Sequence, residues 1–329
     1  MIYKTTITSK DFTSQRDQMI YVIVPSFNEE ENIEPLHAEL SEVFKSLNRG
    51  YIIIFVDDGS TDNTYKKMLK VREKDTNIEI IKFRKNFGQT AALKAGFNRA
   101  KGNIVLSMDA DLQNDPSDIP KLIEKIEKED YDVVCGWRVD RKDTIYKKIF
   151  SKYANLLRKM ITGEDIHDSG CTFRAYKTGC VKGLDLYGEI HRYIPALLQW
   201  RGYKIGEVKV KHRPRIYGTT KYNWERLYKG FLDLIVISFW QKYSLRPIHV
   251  FGTMGLLLSI SGSLLGVYMG FERFFLGRVL SDRPLFLLAI LMVIIGIQFI
   301  ISGILADIMV KVYFGQKGGH DYFIEGVLE

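Results

Sequence analysis

Apolar and polar residues alternate in short blocks over residues 19–136, and this pattern predicts strands and helices in turn. Apolar runs rich in β-branched residues predict five strands, at 20–24, 51–56, 78–83, 104–108 and 132–136. Apolar residues at helical spacing predict three helices between them, at 33–47, 64–74 and 89–100. Asn28 is placed to cap the first helix, with Glu29 to Glu31 in its first turn. The alternation predicts an α/β domain with a mostly parallel sheet covered on both faces.

The C-terminal part has a different pattern, with two long apolar runs that carry no Asp, Glu, Lys or Arg, at 248–271 and 285–306. A run of about 20 residues crosses a hydrocarbon core of about 30 Å as a helix. We therefore predict two transmembrane helices, at about 248–271 and 285–310; a buried helix pair in a soluble protein is the alternative. Small residues favour close helix packing and a homo-oligomer, namely Gly252, Gly255, Gly262, Ser263 and Gly266.

These patterns divide the chain into an N-terminal tail at 1–18, an α/β domain at 19–221, a juxtamembrane amphipathic segment at 222–245, the two spans within 246–312, and a tail at 313–329. Residues 146–162 and 222–243 combine basic and apolar residues in a way typical of helices that lie on anionic membranes. Ordinary surface helices are the alternative. The N-terminus shows no signal peptide, so we expect a multi-pass protein of the cell membrane with a cytoplasmic α/β domain.

The chain carries 47 basic and 39 acidic residues, for a net charge of +8. The basic segments near the predicted spans and the handling of phosphate account for this excess, so we expect no nucleic-acid partner. The three cysteines, Cys135, Cys171 and Cys180, show no C-x-x-C spacing. This argues against a disulfide framework and against a four-thiolate zinc site.

Acidic residues follow two of the predicted strands. Asp57 and Asp58 end one strand, and Asp109 and Asp111 follow another, with Gln113 close behind. Ligands bind beyond the carboxyl ends of parallel strands, and buried carboxylates need a cation or hydrogen-bond donors beside them. Oxygen ligands suit Mg²⁺ or Mn²⁺. We therefore predict a divalent-cation site here; ordinary turn chemistry of Asp, Gly and Ser is the alternative.

Four segments carry a family resemblance. The segments are residues 24–29, 56–62, 84–88 and 109–113. They resemble the motifs of family 2 glycosyltransferases with the GT-A fold in both order and content. The basic segment 213–222 resembles that of the dolichol-phosphate mannose synthase branch. The two C-terminal spans are similar to those of bacterial polyprenyl-phosphate glycosyltransferases of the same branch. The resemblance covers about residues 19–312 and implies a GT-A catalytic domain followed by interfacial helices and a transmembrane hairpin.

The resemblance also implies roles for individual residues. A nucleotide-sugar donor is expected to contact Pro25, Phe27, Glu29, Val56, Asp58, Asp109 and Ala110. A metal is expected at Asp109, Asp111 and Gln113. Catalytic roles, including phosphate binding, are expected for Asp111, Arg138, Asp168, Arg215 and Lys221. Relatives often carry an acidic residue where this chain has Thr172, and Asp168 is the candidate replacement.

The expected reaction is a single inverting transfer of a sugar to a polyprenyl phosphate such as undecaprenyl phosphate. The family branch favours UDP-glucose as the donor, with GDP-mannose and other UDP-sugars as alternatives. The departing diphosphate needs cations, and Arg138, Arg213, Arg215 and Lys221 are the candidates. A lipid phosphate is largely ionised at neutral pH and needs no general base. A processive polysaccharide synthase and a catalytically inactive membrane scaffold or nucleotide-sugar-binding partner are the alternatives.

Overall fold

The computed structural model describes residues 19–139, 159, 163, 166–215, 239, 246–277 and 284–317. Two compact units divide the chain at Leu234 and Ile235. The predicted N-terminal tail, the C-terminal tail beyond Lys317 and, apart from Lys159 and Phe239, the two predicted interfacial segments lie outside the described residues.

The described part of the N-terminal unit is built on a sheet of seven strands, in the order β3-β2-β1-β4-β6-β5-β7. Only β6 runs antiparallel to its neighbours β4 and β5; the other pairs are parallel. The predicted α/β class is therefore confirmed. The strands are β1 (Ile20–Ser26), β2 (Tyr51–Asp57), β3 (Ile78–Lys82), β4 (Ile104–Ser107), β5 (Val133–Arg138), β6 (Arg174–Lys177) and β7 (Ile205–Val210).

The helix between β4 and β5 was not predicted from the sequence, although its apolar residues lie at helical spacing. The α-helices whose bounds the structure describes in this unit number six, and the first is the longest. They are α1 (Ile33–Leu47), α2 (Thr64–Lys74), α3 (Gln89–Arg99), α4 (Ile119–Glu129), α5 (Thr178–Val181) and α6 (Ile194–Trp200). Short 3₁₀ turns at Pro116–Asp118 and Ile190–Tyr193 precede α4 and α6. The apolar stripe of α1 buries Leu36, Leu40 and Phe44 in the same core as Val22 of β1 and Phe55 of β2.

The predicted cap of α1 is wrong. Asn28 has a left-handed backbone, with φ at 55°, and its side-chain oxygen accepts a hydrogen bond from the Thr61 N–H at 2.8 Å. The residue before the helix is Asn32, so Glu29 precedes the helix and Glu34 is the acidic residue of its first turn. Asn28 therefore joins the loops after β1 and β2 instead of starting the helix.

The register of the parallel strands places the predicted site loops at one edge of the sheet. Pro25 lies opposite Val56, and Ser107 of β4 lies opposite Ile23. The chain leaves β1, β2 and β4 in the same direction, since these strands are parallel. The loops that follow these three strands therefore start side by side.

The described part of the C-terminal unit contains two helices that are long and apolar enough to cross a membrane, α7 (Ile248–Leu276) and α8 (Pro284–Lys317). Both extend beyond the predicted spans. A Cβ atom on Gly255 would lie 2.5 Å from the Gly296 carbonyl oxygen, and one on Gly262 would lie 2.8 Å from that of Ala289. These glycines therefore let the two helix backbones approach closely, as predicted, whereas Gly266 has no neighbour within 4 Å among the described atoms.

Gly59 tests how tightly the loop after β2 is packed. Its φ is +71°, and a Cβ atom would lie 2.4 Å from the Lys85 carbonyl carbon. Gly183 has the same φ but nothing within 4 Å. A left-handed backbone at an alanine lowers the free energy of unfolding by about 1 kcal/mol at either position. We expect Gly59→Ala to lower it by about 2 kcal/mol more than Gly183→Ala, because the backbone at Lys85 must move to make room for the new Cβ atom. Urea unfolding of both variants measures the difference; equal losses would contradict this packing.

Candidate active site

The loops after β1 and β2 are joined by hydrogen bonds between backbone and short polar side chains. The Asn28 N–H donates to Ser60 Oγ at 3.0 Å, and the Glu29 N–H donates to Thr64 Oγ1 at 2.8 Å. Ser, Thr and Asn commonly satisfy loop amides in this way. The two loops therefore form one platform at the carboxyl edge of the sheet.

Asp58 fixes a third loop to this platform. Its two carboxylate oxygens accept the backbone N–H groups of Phe87 and Gly88, at 2.7 and 2.9 Å. Burial raises the pKa of Asp58, although these two hydrogen bonds act in the opposite direction. Asp58 thus holds the segment that leads into α3 against the turn at Gly59.

Asp109 lies directly beyond β4 and is held by two neutral donors. Gln89 Nε2 donates to Oδ1 at 2.6 Å, and Thr172 Oγ1 donates to Oδ2 at 2.6 Å. Burial raises the pKa of Asp109, and the nearby charge of Asp111 raises it further, while Arg138 acts to lower it. The charges of two carboxylates and an arginine therefore influence one another beyond β4.

Asp111 forms an ion pair with Arg215. Arg215 Nη2 lies 2.6 Å from Asp111 Oδ2, and Nη1 lies 3.9 Å from Glu29 Oε1. The Arg215 Nε atom is buried and has no hydrogen-bond partner among the described atoms. The guanidinium therefore still has an unused donor beside the two carboxylates.

Arg138 and Asp168 form a second, bidentate pair. Arg138 Nε and Nη2 lie 2.7 and 2.9 Å from the two Asp168 carboxylate oxygens, and both side chains are largely buried. Parallel hydrogen bonds of this kind fix the plane of the guanidinium. The pair holds the pKa of Arg138 above its usual value despite burial. Asp168 therefore orients Arg138, whose charge also reaches Asp109.

Arg213, a predicted phosphate-binding candidate, is paired with two carboxylates in the structure, and its phosphate role stays a prediction. Its guanidinium lies 2.8 Å from Glu39 and 2.9 Å from Asp115, and its backbone N–H donates to the Gln113 carbonyl at 2.8 Å. These contacts tie the segment after β7 to the loop after β4. Arg213 thus positions the backbone that carries Arg215.

The remaining predicted residues lie at or next to this edge, and their roles stay predictions. Pro25 and Phe27 are partly buried at the end of β1, and Val56 and Ala110 are buried. The Gln113 backbone N–H donates to Asp111 Oδ1 at 3.2 Å. Lys221 lies outside the described residues, so its role stays a prediction.

Two contacts of the site were not predicted from the sequence, those of Gln89 and Thr172 with Asp109. Gln89 is the first residue of α3 and directly follows the 84–88 motif, which was an available signal. The family resemblance implied an acidic residue where this chain has Thr172, and Thr172 donates its hydroxyl to Asp109.

Arg174 supports the loop that carries Asp168 and Thr172, and this role was also not predicted. The residue is buried and donates to the Ser169 and His191 carbonyl oxygens, at 2.5 and 3.0 Å. It therefore joins this loop to the 3₁₀ turn at 190–193.

The donor set suits a divalent cation that also binds substrate. Among the residues the structure describes, no group of three or more His, Cys, Asp or Glu side chains forms a metal site. Mg²⁺ is commonly held by one or two carboxylates together with substrate phosphates. Asp109 and Asp111 supply two carboxylates for that arrangement, since among the described residues Asp109 is held by neutral donors and Asp111 by one guanidinium.

Sequence comparison gives relatives over almost the full chain. The family model "Glycosyl transferase family 2" matches residues 21–184. The dodecaprenyl-phosphate galacturonate synthase of Rhizobium johnstonii is 36% identical over 94% of this chain and 92% of its own. The undecaprenyl-phosphate 4-deoxy-4-formamido-L-arabinose transferase of Photorhabdus laumondii is 32% identical over 94% of both chains.

Structure comparison gives the same fold at low identity. The glucosyl-3-phosphoglycerate synthase of Mycobacterium tuberculosis, solved with Mn²⁺, UDP and glucosyl-3-phosphoglycerate, has a TM-score of 0.52 at 16% identity, over 73% of this chain and 86% of that one. A complex of the same enzyme with Mg²⁺ and UDP has a TM-score of 0.51. With its GT-A-like sheet and its full-length relatives, this chain belongs to glycosyl transferase family 2.

Proposed function

We propose that this protein transfers a sugar from a nucleotide sugar to a polyprenyl phosphate in the cell membrane, with its catalytic domain in the cytoplasm. The observation that carries the proposal is the loop beyond β4, where Asp111 pairs with Arg215 and Asp109 lies within the influence of the charges of Asp111 and Arg138. The relatives named above, which act on dodecaprenyl and undecaprenyl phosphate, and the two membrane-length helices support the lipid acceptor.

The donor is a UDP-sugar in this proposal, with UDP-glucose the first to test. Pro25, Phe27, Glu29, Val56 and Asp58 form the nucleotide side of the site, on the platform made by the loops after β1 and β2. The two relatives are named for galacturonate and for 4-deoxy-4-formamido-L-arabinose, so the donor test includes their UDP-sugars.

Asp109, Asp111 and Gln113 would hold Mg²⁺ or Mn²⁺ together with the donor diphosphate. When bound, such a cation neutralises charge that develops on the leaving diphosphate. Gln89 and Thr172 keep Asp109 in place, since each donates to one of its oxygens. Arg138, held by Asp168, adds a fixed positive charge on the same side.

The chemistry is one inverting displacement. An oxygen of the lipid phosphate attacks the anomeric carbon as the bond from that carbon to the diphosphate oxygen breaks, and nucleoside diphosphate leaves. The acceptor is already ionised, so no proton has to be removed from it. Asp168 has both oxygens engaged by Arg138, and we assign it the orientation of Arg138 instead of a role as general base.

Arg215 and Lys221 bind phosphate in this proposal. Arg215 pairs with Asp111 in the structure and retains a buried Nε donor. A phosphate group offers several acceptor oxygens to a planar guanidinium. Donor phosphate therefore competes with Asp111 for Arg215, which leaves Asp111 available for the cation.

A transfer assay tests the function. We expect purified full-length protein with undecaprenyl phosphate, Mg²⁺ and UDP-glucose to form a lipid-phosphate-linked hexose, detected by mass spectrometry. UDP-galacturonate, UDP-4-deoxy-4-formamido-L-arabinose and GDP-mannose complete the panel. EDTA should stop product formation, and added Mg²⁺ or Mn²⁺ should restore it. Asp111→Asn should lower the rate by about 100-fold or more, because electrostatic groups of this kind contribute that much.

Glu124→Gln serves as the matched control, since Glu124 pairs only with solvent-exposed Lys128 on α4. It should transfer sugar at the wild-type rate. If only another UDP-sugar gives product, that sugar replaces UDP-glucose as the assigned donor. If no donor gives a lipid-linked product, an inactive scaffold is favoured. Full activity in EDTA would contradict the proposed requirement for a divalent cation.

The Arg138–Asp168 pair gives a separate prediction. Asp168→Asn leaves a largely buried Arg138 without its negative partner, so we expect the free energy of unfolding to fall by about 3 kcal/mol. The transfer rate of Asp168→Asn should fall below that of the wild type by the same factor at every pH between 6 and 9, since Asp168 moves no proton. Chemical unfolding and a pH–rate profile measure the two effects. If the wild-type rate falls at low pH and the rate of Asp168→Asn does not, Asp168 is a general base and this assignment is wrong.

A further inference from the structure

The two apolar helices of the C-terminal unit pack through one face of α8. Its residues toward α7 include Ala289, Gly296 and Gly303, which recur every seven positions. A Cβ atom on Gly303 would lie 2.9 Å from the Ile248 side chain, and one on Gly296 would lie 2.2 Å from Ser259 Oγ. The small residues of α8 are therefore used within the hairpin, and they are not available to a second copy of the chain.

The opposite face of α8 carries a second stripe with the same period. Residue 298 lies two positions after Gly296, about 200° around the helix. Leu291 and Leu305 lie one heptad to either side of it, and Ile294 and Ile301 lie between. These four apolar side chains are 46–58% exposed, and Gln298 is exposed as well. We call these five residues the outer stripe.

Gln298 is out of place on this stripe if lipid alone covers it. It lies near the middle of an otherwise apolar span, and its side-chain amide has no hydrogen-bond partner among the described residues. The Ser302 hydroxyl reaches only the Gln298 backbone carbonyl, at 2.8 Å. A polar amide in hydrocarbon loses its water partners, and glutamine is one of the residues that join membrane helices by hydrogen bonds.

We propose that the outer stripe is an interface with a second copy of this chain, centred on a hydrogen bond between the two Gln298 side chains. Copies inserted in one membrane share an orientation, so their α8 helices run parallel and place the same residue at the same depth. An amide both donates and accepts, so Gln298 is complementary to itself across a two-fold axis. A single polar residue within an apolar heptad stripe also fixes the register of the pair.

Cysteine cross-linking tests this interface in the full-length protein in membranes. Leu305→Cys lies on the outer stripe, and Ile304→Cys is its matched control, similarly exposed but about 100° away around the helix. The three native cysteines are buried and stay in place. We expect mild oxidation to join Leu305→Cys into a disulfide dimer and to leave Ile304→Cys monomeric.

A second variant tests the amide itself. Adding Gln298→Leu to Leu305→Cys should lower the cross-linked fraction about fivefold, the effect of one interhelical hydrogen bond, and Gln298→Asn should lower it less. Equal cross-linking at 304 and 305, no cross-linking at 305, or no effect of Gln298→Leu would each overturn the proposal. The first of these outcomes would mean random collision in lipid.

The inference rests on the proposed membrane location. Two measurements distinguish a failure of the proposed membrane function from a failure of the proposed interface. Carbonate extraction reports whether the protein is embedded; release by carbonate would overturn the membrane function and this interface together. Transfer by the Gln298→Leu variant should equal that of the wild type within about twofold, since no described contact links Gln298 to the site. Sugar transfer by an embedded protein that fails to cross-link would overturn the interface alone.

Discussion

The repulsion between Asp109 and Asp111 is the constraint on which the site depends. Burial raises the pKa of Asp109, and the negative charge of Asp111, two positions along the same loop beyond β4, raises it further. A protein tolerates such a pair only when positive charge or hydrogen-bond donors lie beside it. Neutral donors from Gln89 and Thr172, Arg215 on Asp111, and the nearby charge of Arg138 supply that compensation.

The groups that compensate the charges of Asp109 and Asp111 come from different parts of the chain. The segments that carry them are therefore held in place by contacts of their own. Thr172 and Asp168 belong to a loop anchored by buried Arg174, and Arg215 belongs to a segment anchored by Arg213. The parallel strands β1, β2 and β4 bring the acidic and nucleotide-side loops to one edge. The antiparallel strand β6 starts at Arg174, so the anchoring arginine also marks where its loop rejoins the sheet.

The alternating pattern predicted the strands and helices up to β5 apart from α4, which was overlooked although Ile119, Leu122 and Ile126 lie at helical spacing. Between β5 and the two C-terminal spans, the described elements were not predicted. Helix α2 was predicted at its observed bounds, and α1 was predicted correctly apart from its cap. Strands β6 and β7 were missed because they are short and alternate with polar residues such as Arg174 and Lys209. Asp109 and Asp111 were placed correctly beyond a strand, whereas Thr172 was not seen as a partner because 63 positions separate it from Asp109.

The account of function follows from the same charge balance. Two carboxylates are too few to hold a divalent cation tightly, so the donor diphosphate should complete the site. Electron paramagnetic resonance of Mn²⁺ with the full-length protein, with and without UDP, measures this directly. We expect weak Mn²⁺ binding without UDP and an affinity at least about tenfold higher with UDP, as for two coupled ligands. Equal Mn²⁺ affinity in the presence and absence of UDP would contradict it.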